Sequence, residues 1–161
     1  MISLSCIVGL GAIALGSAGG VSARATPRPP ATGAGKFMKT VVSEKLGRRY
    51  DLVWETLYPR HQQVASREAF VDCESRIPWP GADSSSVRVL RVFRERFRVA
   101  GESRKLETTA VHVRVTGVAS GLPVPFVVEK TFHALRVGGR WKWILSPDQY
   151  AYYNSGTCPY A

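Results

Sequence analysis

VRVLRVFRERFRV, residues 87–99, is the stretch on which the fold turns. Apolar and charged residues alternate along it, which is the period of a β-strand with one face on a core and one in water. Val87 and Val89 share a face with Phe93, Phe97 and Val99, while Arg91 and Glu95 interrupt that face. A phase slip in so long a strand predicts a β-bulge.

Downstream the period stays at two. Residues 110–118 set Val111, Val113 and Val115 on one face and His112, Arg114 and Thr116 on the other. A third strand spans 124–137, after an entry at Pro123 and Pro125. Gly138-Gly139 supplies the positive φ of a tight hairpin and leads into a fourth strand from Arg140 to Leu145. Upstream the period is helical. Phe37, Met38, Val41, Val42 and Leu46 mark one apolar stripe, ended by Gly47. Tyr50, Val53, Trp54 and Leu57 mark a second, closed by Pro59. Ser66 caps a third helix carrying Phe70, Val71, Cys73 and Glu74. Residues 77–86, IPWPGADSSS, read as the loop between the two regimes. Three helices followed by a four-stranded antiparallel meander define an α+β domain over 36–161.

The first 23 residues carry no charge and end in Val21-Ser22-Ala23, the small-residue pattern of a signal-peptidase site. Cleavage after Ala23 is therefore expected, with the product secreted or held at the cell envelope; an uncleaved segment would be a membrane anchor. Residues 24–35, rich in Pro, Ala and Gly, read as a flexible leader. Cleavage after Ala23 would leave two cysteines, Cys73 and Cys158, and an isolated pair in an oxidising compartment reads as a disulfide. With no CxxC or HxxxH spacing nearby, a zinc site is not expected. No cofactor is implied.

The element order resembles the NTF2-like superfamily, the cone-shaped member of the cystatin-like α+β folds. The resemblance rests on the aromatic helix YDLVWETLYP, the following HQQVASREAFVDCE, and the basic Trp strand GGRWKWILSPDQYAYY with its closing CPY. It covers residues 36–160 and is similar to small exported actinobacterial proteins, most of them uncharacterised. It implies a curved sheet wrapped around the helices, with a mostly apolar pocket at the wide end. In catalytic relatives that pocket holds an Asp or His base and a Tyr or Asp donor. The superfamily spans isomerases, dehydratases, transport factors and non-catalytic domains, so the fold chooses no activity. Pairing of two copies through the open sheet face is a family-level expectation.

Candidate pocket residues follow from the aromatic clusters. Tyr50, Trp54 and Tyr58 are spaced to share one helical face, although Trp54 also fits a core stripe with Val53 and Leu57. His61, after Pro59, is the one candidate for a catalytic base, and no partner for it is legible. Trp141 and Trp143 point the same way, either into a hydrophobic layer or onto a bound ring, and Tyr150 follows on the path to Cys158. Glu129, Thr131 and His133 share a strand face. Glu129 and His133 stand about 13 Å apart, too far to bond each other, and Phe126, Val128 and Phe132 on the opposite side make theirs the solvated face.

The net charge is +10, and Arg supplies 16 of the 22 basic residues. Arg88, Arg91, Arg94, Arg96 and Arg98 line one strand as a candidate basic patch. Such a stripe attracts anionic envelope polymers or phospholipid, and it also deters edge-to-edge strand pairing. Export and the lack of aromatic interleaving argue against nucleic acid. The reading that follows is an exported, non-catalytic domain binding a small apolar ligand, a partner protein or an anionic envelope component. The alternatives are a small isomerase- or dehydratase-type pocket enzyme and a structural domain whose cone is filled by its own aromatics.

Overall fold

The structure is a computed structural model and describes residues 33–76, 82–119 and 124–158. The expected signal peptide, most of the leader, part of the 77–86 loop and Pro123 lie outside the described residues. Helices α1 (Ala34–Leu46), α2 (Tyr50–Glu55), α3 (Pro59–Val64) and α4 (Arg67–Ser75) precede strands β1 (Ala82–Phe97), β2 (Leu106–Ala119), β3 (Phe126–Val137) and β4 (Arg140–Ile144). Helix α5 (Pro147–Asn154) follows. The strands pair antiparallel in sequential order, giving an open sheet with β1 at one edge. The protein is therefore α+β, as its periodicities predict.

Four helices stand before the sheet where the sequence predicts three. Pro59 ends one stripe but also opens α3, because the first position of a helix needs no N–H and suits a fixed φ. The fifth helix has a local code: Ser146 and Gln149 form a reciprocal capping box around Pro147. Helix α1 starts at Ala34, three residues ahead of the first stripe residue Phe37, from Gly33 at φ 65°. A β-carbon at Gly33 would lie 2.8 Å from the Trp141 indole nitrogen, so both the backbone angle and the close approach demand glycine.

The helices cover one face of the sheet, with α1 touching all four strands. The core on that face joins Met38, Val41, Val42, Val53, Leu57 and Phe70 to Val111, Val113, Val115, Ala134 and Trp143. A smaller cluster of Val99, Leu135 and Ile144, flanked by Tyr58, Phe97 and Leu106, covers one end of the opposite face. The outer edge of β4 is not bare. Leu57 bridges to Trp143 in parallel; Tyr58 N–H donates to Trp143 O at 2.8 Å, and Trp143 N–H donates to Thr56 O at 3.1 Å.

The expected phase slip is present, and it corrects the face assignment. The register passes from Val89↔Val113 to Arg91↔His112, so Leu90 is the extra residue of a bulge. Val87, Val89 and Val92 thus face the helices, opposite Val115, Val113 and Val111. Phe93 and Phe97, which strict alternation puts with Val87, point to the other side with Arg91 and Glu95.

Cys73 on α4 and Cys158 beyond α5 are disulfide-bonded, with Cα atoms 5.5 Å apart across a sequence separation of 85. The bond ties the last described residues to the helical layer. Among the described residues no helix is long and apolar enough to cross a membrane. Closure of a loop this long is worth about 4–5 kcal/mol in the chain-entropy account. The Cys73→Ser/Cys158→Ser protein should therefore lose about that much unfolding free energy in urea titrations; an unchanged midpoint would show that the tail contributes nothing to the fold.

Candidate functional site

His61 sits at the start of α3 and is fully buried. Its Nε2 donates to Ala100 O at 3.0 Å, and its Nδ1 accepts the Leu145 N–H at 3.0 Å. These two bonds set the tautomer and join α3 to the β1–β2 connection and to the β4–α5 junction. The rings of Tyr58 and Tyr150 pack against it at 5.3 and 5.1 Å. Burial lowers its pKa, against the opposing pull of the Ala100 bond and the Glu102 charge. The imidazole is neutral and has no nitrogen left for a substrate, so the arrangement is that of an internal strut.

The aromatic candidates do not converge on one cavity. Tyr50 and Trp143 are in the core. Trp54 is half-buried, and its indole N–H donates to Ala65 O at 2.7 Å. Tyr58 lies beyond the end of α2, as the residue preceding α3, and its hydroxyl donates to Glu102 at 2.7 Å. Burial, and then that hydrogen bond, raise its pKa, which keeps the phenol protonated. Trp141 is half-buried under the Arg136 guanidinium at 5.3 Å, and half-buried Tyr150 packs on His61.

Between α1 and strands β2 and β3 is an opening of about 60 Å³ whose walls include Val42, Leu46, Val113, Val115, Phe132 and Lys130. Ligand pockets generally run to about 300–1,000 Å³, so this opening admits only a few atoms without rearrangement. What fills the interior instead is the protein itself. Trp143 meets Phe70 edge-on at 6.3 Å, and Phe70 meets Tyr153 at 5.7 Å. Buried Lys45 reaches Glu74 at 2.7 Å and lies 5.5 Å over the Trp143 ring. Tyr153 donates to the other Glu74 oxygen at 3.3 Å.

The five candidate arginines are all exposed, but the bulge divides them. Arg88 and Arg91 stand opposite Arg114 and His112 on the helix-free face, while Arg94 and Arg96 stand opposite Thr109 and Glu107 on the other. Arg98 follows the strand. Strict alternation puts Arg88, Arg94, Arg96 and Arg98 on one face with Arg91 nearby; the bulge instead groups Arg88 with Arg91 and leaves Arg94 and Arg96 on the opposite side of the edge strand. Arg96 lies 3.5 Å from Glu107, with both side chains 71% exposed, a pairing of little energy. Beside the first row, Glu129 accepts from Arg114 at 2.6 Å and lies 3.0 Å from His112 Nε2, while His112 Nδ1 meets the Thr131 hydroxyl at 3.0 Å. Those bonds, His112 first, hold the Glu129 carboxyl below the usual range. Glu129 and Thr131 are exposed, on the solvated face the sequence assigns them.

His133 shares that face but has a partner that sequence spacing does not reveal: Glu95 on β1, at 2.5 Å. The pair spans β2, where Ala110 opposite His133 leaves room for the reach. No periodicity in a single strand signals a contact two strands away.

No protein-family model matches the chain, and no curated protein matches it either.

The His61 geometry carries a pH dependence. Its folded pKa lies below its unfolded value near 6.5, so its contribution is complete above about pH 6.5 and drains away as pH falls below it. The melting temperature should drop from pH 7 to pH 5. His61→Asn, which keeps an acceptor for the Leu145 N–H but leaves Ala100 O unpaired, should be about 1–3 kcal/mol less stable at pH 7 and show a shallower acid slope. Equal slopes in thermal melts of the two proteins would remove His61 as the source.

Proposed function

We propose that this chain is an exported, non-catalytic NTF2-like domain that recognises an anionic component of the cell envelope at the cationic edge of its sheet. The observation that carries the reading is strand β1. It presents exposed Arg88, Arg91, Arg94 and Arg96, with Arg98 just beyond, and of these Arg96 alone has a carboxylate partner among the described residues. The bulge turns these cations to both faces of the edge, so an extended anion can be gripped from either side. Each arginine near an anionic surface adds about 1 kcal/mol, falling off within a Debye length. The +10 net charge adds a long-range pull of the same sign.

The self-filled interior supports recognition at the surface rather than in a cone pocket, and the committed nitrogens of His61 support a domain that does no chemistry there. The NTF2-like assignment is supported by helices preceding a sequentially ordered antiparallel meander. Export is supported by the uncharged apolar segment ending at Ala23 and by the disulfide. Pairing of two copies through the sheet face belongs to the same proposal; Val118 and Val127, both exposed on that face, would be covered by it. The second reading, a small pocket enzyme, is favoured by the His133–Glu95 pair.

Co-sedimentation with phosphatidylglycerol vesicles tests the surface reading. Binding should exceed that to phosphatidylcholine vesicles, fall about tenfold or more between 0.05 and 0.5 M salt, and be lost when Arg88, Arg91, Arg94, Arg96 and Arg98 are all replaced by Ser. Undiminished adsorption by the five-fold variant would withdraw the edge from the mechanism.

A further inference from the structure

The large apolar side chains that stand in water gather at one corner of the sheet, where β2 ends and β3 begins. Val118 is 46% exposed, Val124 65%, Val127 59% and Val128 41%. The other two exposed large apolar residues among those described, Leu52 and Tyr152, lie on α2 and α5. From Val115 to Val128 the sequence carries no charged residue, and Asp83 is the only charge that β1 adds beyond Arg88. On a chain of net charge +10, an apolar corner of this kind marks a surface that a partner covers.

The partner must reach both faces of the sheet. Val115 pairs with Val128 and Gly117 with Phe126, so Val128 turns to the helix side with Val115. Val127 and Val118, each one residue out of that phase, turn to the helix-free side. A second copy packed on one face would cover Val118 and Val127 and leave Val128 in water. A bilayer surrounds a corner from both sides.

The cations stand at a matching depth. Arg88, Arg114 and Glu129 form one row across three strands, and Glu129 is engaged by Arg114 and His112. Gly117 and Phe126 lie three residues further along, about 10 Å at the rise of a strand. The headgroup layer of a bilayer is about 5–8 Å deep on each side. Arginines of that row therefore meet headgroups when Val118, Val124 and Val127 reach the hydrocarbon boundary. Beside the row, Lys36 and Lys39 on α1 line a groove of about 480 Å³ with Ser86 and Arg88. Its volume is that of an ordinary ligand site. None of its three cations forms an ion pair among the described residues. Three such cations and a hydroxyl suit a phosphate group.

We infer that this corner docks on an anionic phospholipid bilayer: the four valines enter the interface, and Lys36, Lys39 and Arg88 hold a lipid phosphate behind them. This docking rests on the anionic-surface reading, narrows it to lipid and adds a penetrating element. The entry is shallow. β2 is paired on both sides up to Gly117, so it carries no open backbone edge into the interface.

Vesicle binding by the Val118→Ser/Val124→Ser/Val127→Ser protein tests the docking, with its thermal melt as the control for folding. Its affinity for phosphatidylglycerol vesicles should fall about tenfold or more. Its remaining binding should vanish in 0.5 M salt, where a fraction of wild-type binding survives. Lys36→Ser/Lys39→Ser should weaken binding about tenfold. A nitrobenzoxadiazole label on Val124→Cys should brighten on these vesicles and be quenched by nitroxides on shallow acyl-chain carbons. The same label on Ser103→Cys, at the far end of β2, should not; both proteins carry Cys6→Ser so that the new thiol is the free one. Equal binding by wild-type and triple-Ser proteins, or a dark label at Val124, would overturn the docking and leave the arginine edge standing. Loss of a dimer rather than of vesicle binding in the triple-Ser protein would assign the corner to paired copies and overturn it too. Undiminished binding by the five-fold Arg→Ser protein with a bright Val124 label would withdraw the edge and keep the corner. No wild-type binding to phosphatidylglycerol would remove both.

Discussion

The structure depends on Trp143. Its main chain bonds Thr56 and Tyr58, stitching the link between α2 and α3 to the last strand. Its indole N–H donates to Val53 O at 3.2 Å, and its ring is buried against Phe70 under the Lys45 ammonium. One residue thereby closes the sheet edge, anchors α2 and fills the centre. A smaller side chain there would leave a cavity among residues already fully buried, the situation in which truncation costs most.

Around that centre the buried polar groups are few and paired. Lys45, Glu74 and Tyr153 link α1, α4 and α5. Buried ion pairs contribute weakly to stability compared with apolar packing, but loss of one partner strands a charge, so they penalise misregistered helices. Next to Glu74, Cys73 joins α4 covalently to the segment after α5 through Cys158. His61 does equivalent work at the other end, converting an ionisable group into a backbone bridge. Packing, charge pairing and the covalent bond therefore enforce one placement of α5 over the sheet. That placement forms part of a groove beside His133, through Ser146 and Gln149.

The bulge at Leu90 has the widest consequences for the surface. It keeps Val87, Val89 and Val92 on the core despite the slip, and it sends Phe93, Glu95 and Phe97 to the other face. Without it Glu95 could not meet His133, and Arg88 would share a face with Arg94 and Arg96 while Arg91 pointed the other way. A local irregularity in one strand thus sets both the placement of the arginines and the Glu95–His133 contact, since a bulge re-aims the side chains that follow it.

Much of the architecture was legible along the chain, because period and punctuation are local. Alternation announced four strands, Gly138-Gly139 the last hairpin, and Ser66 a helix start whose side chain does accept the Ala69 N–H. The lone cysteine pair announced its bond. Pro59 misled by the same local logic, since one residue can end a helix and begin another. The candidate site was much less legible. Tyr50, Trp54, Tyr58 and His61 cluster in sequence but disperse between core, backbone bridging and a contact with Glu102. Glu95 and His133 are separated by 38 residues and meet across an intervening strand. Sequence determines what repeats along one segment, because side-chain direction follows backbone period. Which groups touch across segments depends on register, bulges and helix placement, and those are settled only when the whole core packs at once.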